Sequence, residues 1–226
     1  MGGARYAIYF VPAAETALYR FGAAALGYDC YSGEEVALLA GVDRAWLSEP
    51  RQYGFHATLK APFHLAAGAS EAALTAAAGD FARQHAAFAA GDLCVREIGA
   101  FIALVPQTAS APLQRFADAC VRDFDRFRAP MSESERTRRR KPTLTPQQIG
   151  NIERWGYPYV FADFRFHMTL TGSLAPEDRA AALRLLCDLF AQSPAAHALR
   201  IDRIVIAKQA GEAASFRVLH SLRLSG

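Results

Sequence analysis

Cysteine is scarce in this chain, and long apolar runs are absent. The four cysteines, Cys30, Cys94, Cys120 and Cys187, are widely separated and form no Cys-x-x-Cys pair, which argues against a structural zinc site. No apolar stretch approaches the roughly 18 to 20 residues that a membrane-spanning helix needs. The sequence does not open on a basic segment followed by an apolar one, as a secretion signal does. We therefore expect a cytoplasmic protein that makes no membrane contact.

An excess of charge of one sign is also missing. The formal net charge is only +3 and the isoelectric point is about 8.7. This mildly basic balance suits a small anionic substrate but falls short of the charge expected of a dedicated nucleic-acid binder. RNA is therefore a possible partner, though not the favoured one. Hydrophobic residues make up 52% of the chain, which is typical of a folded globular protein and excludes extensive disorder.

The order of predicted elements indicates an α+β protein. Strands are predicted where β-branched and aromatic residues concentrate, and helices where Ala, Leu and Glu recur at helical spacing. Each half of the chain places an aromatic-rich strand shortly before a helix, which predicts one domain, residues 1–226, built from two related lobes. The predicted strands are 5–11, 54–60, two within 93–105, 163–171, 200–208 and 215–224, and the predicted helices are 13–26, 34–40, 70–89, 113–127 and 176–192.

One segment, residues 129–151, differs from its surroundings in composition. It contains few apolar side chains and a run of basic ones: Arg136, Arg138, Arg139, Arg140 and Lys141. Such a segment is typical of a solvated surface helix or loop. The alternative is a basic flap that covers an anionic site, and the sequence leaves both interpretations open.

Two copies of one short motif are the most specific feature of the sequence. Gly54-Phe-His-Ala-Thr-Leu-Lys60 and Arg165-Phe-His-Met-Thr-Leu-Thr171 share the core Phe-His-x-Thr-Leu. Side chains alternate between the faces of a strand, so His56 and Thr58 are expected on one face, and His167 and Thr169 on one face of the other strand. The opposite faces are apolar and belong in a core. A single His-x-Thr is a weak signal, but its duplication indicates a functional pair.

The same alternation predicts a cation on each polar face. Lys60 lies two positions after Thr58, and Arg165 lies two positions before His167. A lysine or an arginine there could stabilise negative charge on a bound phosphate. We therefore predict that both residues bind substrate.

The residue types of the motif suit phosphoester hydrolysis. One group has to take a proton from water while another gives a proton to the departing alkoxide. Histidine, with an ordinary pKa of about 6.5, can play either part near neutral pH. Threonine hydroxyls can donate hydrogen bonds to the non-bridging phosphate oxygens as charge develops there. The sequence thus predicts catalysis by His56, Thr58, His167 and Thr169 with no metal or other cofactor, and it does not decide which histidine is the base.

The paired motifs, about a hundred residues apart, resemble those of the two-histidine (2H) phosphoesterase superfamily. Arg5-Tyr-Ala-Ile-Tyr-Phe, Tyr53-Gly-Phe-His-Ala-Thr-Leu-Lys-Ala-Pro-Phe63 and Arg154-Trp-Gly-Tyr-Pro-Tyr159 are similar to the branch associated with phosphonate metabolism. The resemblance implies a bilobal fold with two antiparallel sheets facing a central cleft and helices outside. It also implies a small phosphorylated substrate, such as a ribose cyclic phosphate.

Tyr9 and the remaining histidines are further candidates for the site or the core. Tyr9 lies on the face of its predicted strand opposite Ile8 and Phe10, so it could line the cleft and bind substrate; ordinary packing is the alternative. His220 has the strand parity of apolar neighbours, which predicts a core position. His64, His85 and His197 belong to no motif.

Three other functions remain open at the level of sequence. The first is an RNA-end 2′,3′-cyclic phosphodiesterase or ligase, for which only 129–151 could supply a basic groove. The second is a phosphate-binding module without catalysis. The third, a metallohydrolase with the two histidines as ligands, lacks the nearby carboxylates that such sites usually contain.

Overall fold

The computed structural model describes residues 3–195 and 199–226, so His197 lies outside the described residues. Helices alternate with antiparallel strands along the chain, which confirms the α+β class. The strands are β1 (Arg5–Phe10), β2 (Tyr28–Asp29), β3 (Glu34–Glu35), β4 (Ala57–Phe63), β5 (Phe88–Gly91), β6 (Leu93–Ile98), β7 (Phe101–Pro106), β8 (Met168–Thr169), β9 (Leu199–Ile201), β10 (Arg203–Gln209) and β11 (Arg217–Arg223). The helices are α1 (Ala17–Leu26), α2 (Glu71–Gln84), α3 (Ala111–Phe124), α4 (Glu133–Arg139), α5 (Pro146–Trp155) and α6 (Pro176–Ala191).

Seven strands form one antiparallel sheet in the order β11-β10-β1-β4-β8-β7-β6. Two small sheets, β2-β3 and β5-β9, lie outside it. The two facing sheets that the resemblance implied are therefore joined into one. The join is the pairing of the two motif strands, because Ala57 of β4 pairs with Met168 of β8. The motifs thus lie side by side in the middle of the sheet.

The helices begin where the sequence supplies a capping side chain. The Thr16 hydroxyl accepts a hydrogen bond from the Tyr19 N–H and starts α1, and the Ser70 hydroxyl accepts one from the Ala73 N–H and starts α2. Helix α1 ends at Gly27, whose φ of 65° lies in the left-handed region that glycine adopts most easily. These caps explain why α1 begins four residues after the predicted start.

Two predicted helical segments differ from the structure. Residues 34–40 do not form a helix, because Glu34–Glu35 pairs with Tyr28–Asp29 as a short antiparallel ladder. Helix α2 ends at Gln84 rather than near residue 89, because Phe88–Gly91 pairs with β9 instead. In both places long-range or turn-mediated pairing overrides a composition that favours helix.

The core is built where helices cover the sheet. Helices α2, α3 and α6 pack on its strands. Helix α1 lies against the residue that precedes the first motif histidine: a side chain at Gly22 would overlap the ring of the fully buried Phe55. This contact fixes the backbone that carries His56. None of the helices in the described ranges combines the length and the apolar character that crossing a membrane requires.

Candidate active site

His56 is held in one orientation by its own strand. It lies immediately before β4, and its Nδ1 is 2.8 Å from the Gly54 carbonyl oxygen. Because a carbonyl oxygen only accepts hydrogen bonds, Nδ1 carries the proton and donates it. The other nitrogen, Nε2, is 3.2 Å from the Thr58 Oγ1 and accepts from that hydroxyl. The neutral ring therefore presents Nε2 as its basic atom.

His167 repeats this arrangement on the neighbouring strand. Its Nδ1 donates to the Arg165 carbonyl oxygen at 2.8 Å, so Nε2 is again the nitrogen left for other partners. Since Ala57 pairs with Met168, the antiparallel register sets His56 across from Thr169, and Thr58 across from His167. The structure thus brings together the four residues predicted to be catalytic.

Both histidines have lowered pKa values. Burial disfavours the charged ring of His56 and lowers its pKa to about 4, although the Gly54 carbonyl acts in the opposite direction. The charge of His167 lowers the pKa of His56 further, which indicates that the two rings are near one another. Burial also lowers the pKa of His167. Both rings are therefore neutral at pH 7 while no ligand is bound.

Tyr9 of β1 covers the face of the His56 ring. The two rings are stacked, with centroids 3.8 Å apart and planes inclined by 29°. Burial raises the pKa of Tyr9 well above its ordinary value, so its hydroxyl keeps its proton. That hydroxyl is buried and has no hydrogen-bond partner in the described part of the chain. Tyr9 lies in the lining of the cleft beside His56, and its role toward substrate stays a prediction.

Four of these residues, His56, Thr58, Thr169 and Tyr9, line an open cleft of about 450 Å³. His167 lies on the neighbouring strand across from Thr58 and is not among the lining residues. The other lining residues are Glu49, Pro50, Tyr53, Gly54, Ala61, Pro62, Phe101, Lys141, Tyr157, Thr171, Gly172 and Ser173. Most of them lie close to a motif or to the basic segment in sequence, which was the available signal; Phe101, the first residue of β7, had no such signal.

The predicted place of Lys60 on the polar face is wrong. Ile8 pairs with Lys60 and Tyr9 pairs with Thr58, so one step along β1 matches two steps along β4. This β-bulge interrupts the alternation of side chains and turns Lys60 away from Thr58. Lys60 is only 3% exposed, and its Nζ donates to the Asp125 carboxylate at 2.9 Å and to the Val121 carbonyl at 3.1 Å. It serves the packing of α3 on the sheet.

Arg165, the second predicted cation, also stays out of the cleft lining. Its side chain is exposed on the segment before β8, and its backbone carbonyl is the group that orients His167. The strand assigned to 163–171 is reduced to Met168–Thr169, which removes the alternation that would have aligned Arg165 with His167.

A cation reaches the cleft from the basic segment instead. Lys141 follows α4 and contributes to the lining. Arg139 holds this segment against β4 by donating to the Pro62 carbonyl at 3.0 Å and to the Gly156 carbonyl. Arg136 and Arg140 are ion-paired with Glu153 of α5. Part of the segment is therefore an ordinary charged helical surface, and Lys141 forms part of the cleft wall.

No three His, Cys, Asp or Glu side chains come together as metal ligands within residues 3–195 and 199–226. Among the residues that line the cleft, the polar side chains are the His56 imidazole, several hydroxyl groups, the Lys141 ammonium group and the Glu49 carboxylate.

Comparison with known protein families finds one that matches most of this chain. The family described as "Protein of unknown function (DUF1045)" matches residues 58–217. The chain belongs to this family. The matched region begins at Thr58 and includes His167 and Thr169, so most of the cleft lies within it.

Two curated relatives are named "Ribose 1,5-bisphosphate phosphokinase PhnN". The protein of Janthinobacterium sp. (strain Marseille) is 36% identical over 231 residues, which cover 98% of this chain and 51% of the relative. The protein of Laribacter hongkongensis (strain HLHK9) is 36% identical over 177 residues, covering 77% of this chain and 41% of the relative. The chain spans about half the length of these relatives.

A solved structure described as "Crystal structure of phosphoesterase" aligns over the whole of both chains, with a TM-score of 0.46 and 11% identity. A likeness of that degree carries no argument about activity.

Proposed function

We propose that this protein is a metal-independent phosphoesterase of the two-histidine kind, which hydrolyses a small cyclic phosphodiester. The observation that carries the proposal is the matched pair of imidazoles. Each donates its Nδ1–H to the carbonyl two residues earlier, at 2.8 Å in both cases. Each therefore keeps Nε2 free for proton transfer, and the two motifs lie in antiparallel register beside one cleft.

The reaction needs one proton accepted and one proton given. With a phosphate between the rings, one neutral Nε2 takes a proton from water as the water oxygen bonds to phosphorus. The endocyclic P–O bond breaks, and the departing alkoxide takes a proton from Nε2–H of the other ring, which has become an imidazolium by taking up a proton from solvent when substrate binds. The phosphate anion favours the charged form of an imidazole beside it, so substrate binding raises a pKa that burial has lowered.

The remaining polar groups stabilise charge on the phosphate. The Thr58 hydroxyl donates to His56 in the unliganded site and turns to a phosphate oxygen when substrate is bound. The Thr169 hydroxyl, which also lines the cleft, donates to a phosphate oxygen from the other motif. Lys141 supplies the cation that the sequence assigned to Lys60 and Arg165. Tyr9 stacks on one face of the His56 ring. Its buried hydroxyl has no hydrogen-bond partner among the described residues.

The proposed substrate class rests on the names of the relatives and on the family resemblance, and the geometry of the cleft does not decide it. The curated relatives are named for an enzyme of ribose 1,5-bisphosphate, and the resemblance to the phosphonate-linked branch also implies a phosphorylated sugar. A ribose cyclic phosphate is therefore the substrate we propose. Kinase activity has no apparent site in this chain, because its 226 residues contain no Gly-Lys pair and hence no G-x-x-x-x-G-K-[S/T] phosphate-binding loop.

The alternatives differ in what they need from the same cleft. An RNA-end phosphodiesterase needs an extended basic groove, but Arg136 and Arg140 of the basic segment are both paired with Glu153. A phosphate-binding module without catalysis would not need two rings fixed in the same tautomer. A metallohydrolase would lose activity on chelation.

The test is a turnover screen after exhaustive chelation, with ribose 1,2-cyclic phosphate and nucleoside 2′,3′-cyclic phosphates as substrates. Wild-type protein should hydrolyse the ribose compound, whereas His56→Ala and His167→Ala should each lose at least about a hundredfold in kcat/KM while keeping the wild-type circular dichroism spectrum. Near-wild-type turnover in either variant, or activity that returns only with added metal, would contradict the proposal.

A further inference from the structure

The two ends of the cleft are related by the symmetry of the motifs. Because Ala57 pairs with Met168, one end holds His56 beside Thr169 and the other holds Thr58 beside His167. The motifs alone therefore offer a phosphate the same groups in either orientation. Whatever orients an asymmetric substrate has to come from the walls beyond the motifs.

The wall at the His56 end carries a carboxylate. Glu49 precedes the 3₁₀ turn that leads into the first motif, and it lies next to Gly172, just past the second motif. The two segments are joined directly, since the Gly172 N–H donates to the Trp46 carbonyl at 2.7 Å. The exposed hydroxyl side chain of Ser173 lines the same wall.

The wall at the other end carries a cation. Lys141 and Tyr157 line it together with Pro62, which follows Thr58 on β4. The Arg139 guanidinium, which donates to the Pro62 carbonyl at 3.0 Å, fixes the position of this wall. The two related ends of the cleft thus differ in charge.

The Glu49 carboxylate is available to a ligand. The neighbouring arginines Arg44 and Arg51 are both paired with Glu35, and Glu49 makes no ion pair with any of the described residues. Its side chain makes no capping hydrogen bond to the 3₁₀ turn either. A carboxylate repels a phosphate and accepts hydrogen bonds only, so the ligand part that suits it is one that brings hydroxyl donors.

We infer that Glu49 accepts hydrogen bonds from hydroxyl groups of the substrate and thereby orients it, with the sugar-like part at the His56 end and the phosphate charge toward Lys141. The inference rests on the proposed function and adds a specificity-determining residue to it. Glu49 is exposed in the unliganded protein, but a hydrogen bond to a charged carboxylate is stronger than one between neutral groups, so its loss should be measurable.

The experiment compares a substrate that has free hydroxyl groups with one that has none. For ribose 1,2-cyclic phosphate, Glu49→Ala should lower kcat/KM by about tenfold or more, and Glu49→Gln, which keeps one acceptor oxygen, by less. For ethylene cyclic phosphate, both variants should equal or exceed wild type, because a repulsive charge is gone. Glu34→Gln, an exposed glutamate outside the cleft, is the matched control and should change neither rate.

Equal losses with both substrates, or no loss with either, would overturn the inference. Calorimetric binding of ribose 5-phosphate and methyl phosphate tests it without turnover: Glu49→Ala should weaken the first by about tenfold and leave the second unchanged or tighter. If wild type hydrolyses no cyclic phosphate, the proposed function fails, whereas these two affinities still decide whether Glu49 recognises hydroxyl groups. Unchanged affinity for ribose 5-phosphate would exclude that role.

Discussion

Two lysines, Lys60 and Lys141, lie in contrasting surroundings. Lys60 is buried in an ion pair with Asp125, and burial lowers its pKa while the Asp125 carboxylate opposes that change. Lys141, from a segment about eighty residues away in sequence, lines the cleft. A structural lysine and a substrate-binding lysine should respond to substitution in opposite ways.

We expect Lys60→Met to lower the free energy of unfolding by about 2 kcal/mol, because Asp125 keeps only Arg128 as a partner. Its turnover per folded molecule should stay within about threefold of wild type. Lys141→Ala should leave the unfolding free energy within about 0.5 kcal/mol of wild type and lower kcat/KM about tenfold or more. Urea unfolding and steady-state rates on the same samples check both. If Lys60→Met instead lowered kcat/KM and Lys141→Ala lowered only the free energy of unfolding, Lys60 would be the substrate-binding lysine.

At the residue scale, alternation of side chains places residues correctly only where a strand is regular and as long as predicted. His56, Thr58, Thr169 and Tyr9 lie where parity puts them. Lys60 does not, because an extra residue on β4 shifts the register between Ile8 and Tyr9. A β-bulge is a property of two paired strands, so the sequence of one strand does not reveal it.

His220 shows the same effect on β11. Ile206 pairs with His220 and Ala207 pairs with Val218, so the predicted core histidine is exposed. Glu49 and Lys141 were not predicted for another reason: neither belongs to a motif, and each lies outside the predicted strands in a segment that the fold brings to the cleft.

At the scale of elements, α1 fixes the first motif through a glycine. Gly22 lies in the middle of α1, and a Cβ there would overlap the ring of Phe55, the residue before His56. Alanine favours helix over glycine by about 1 kcal/mol, but overpacking a buried contact costs about 1–3 kcal/mol. We expect Gly22→Ala to be destabilising overall and to lower turnover by displacing His56, as measured by thermal unfolding and by kcat.

Gly79 of α2 provides the matched control. A Cβ at this position would meet only the end of the Arg83 side chain, at 3.4 Å. Gly79→Ala should therefore gain about 0.5–1 kcal/mol from helix propensity and leave turnover unchanged. Equal effects of the two substitutions on stability would show that the contact with Phe55 does not position the motif.

Among the elements, those with local signals were predictable and those formed by distant pairing were not. Helices α1, α2 and α6 follow their capping residues or an initial proline, which the sequence displays. The joining of two expected sheets into one depends on the single pair Ala57–Met168, which connects residues more than a hundred positions apart. Propensity carries no information about such a contact.

At the scale of the whole molecule, the buried histidines link stability to pH. An unfolded histidine has a pKa of about 6.5, whereas folding lowers the pKa of His56 to about 4 and also lowers that of His167. Between these values the unfolded chain binds more protons than the folded one, so the free energy of unfolding falls as pH falls from about 7 toward 4. Carboxylates with lowered pKa values, such as Asp125 and Asp202, lose their contribution only at lower pH.

Wild-type protein should therefore lose about 1–2 kcal/mol of unfolding free energy between pH 7 and pH 5. The double variant His56→Gln and His167→Gln should lose much less over that interval, because the two groups that gain protons on unfolding are gone. His220→Gln, at an exposed position, should keep the wild-type slope. Urea unfolding followed by circular dichroism at pH 7, 6 and 5 measures all three. An unchanged slope in the double variant would mean that folding does not lower the pKa of either imidazole, and both rings would then take up protons in the folded protein as readily as in the unfolded chain.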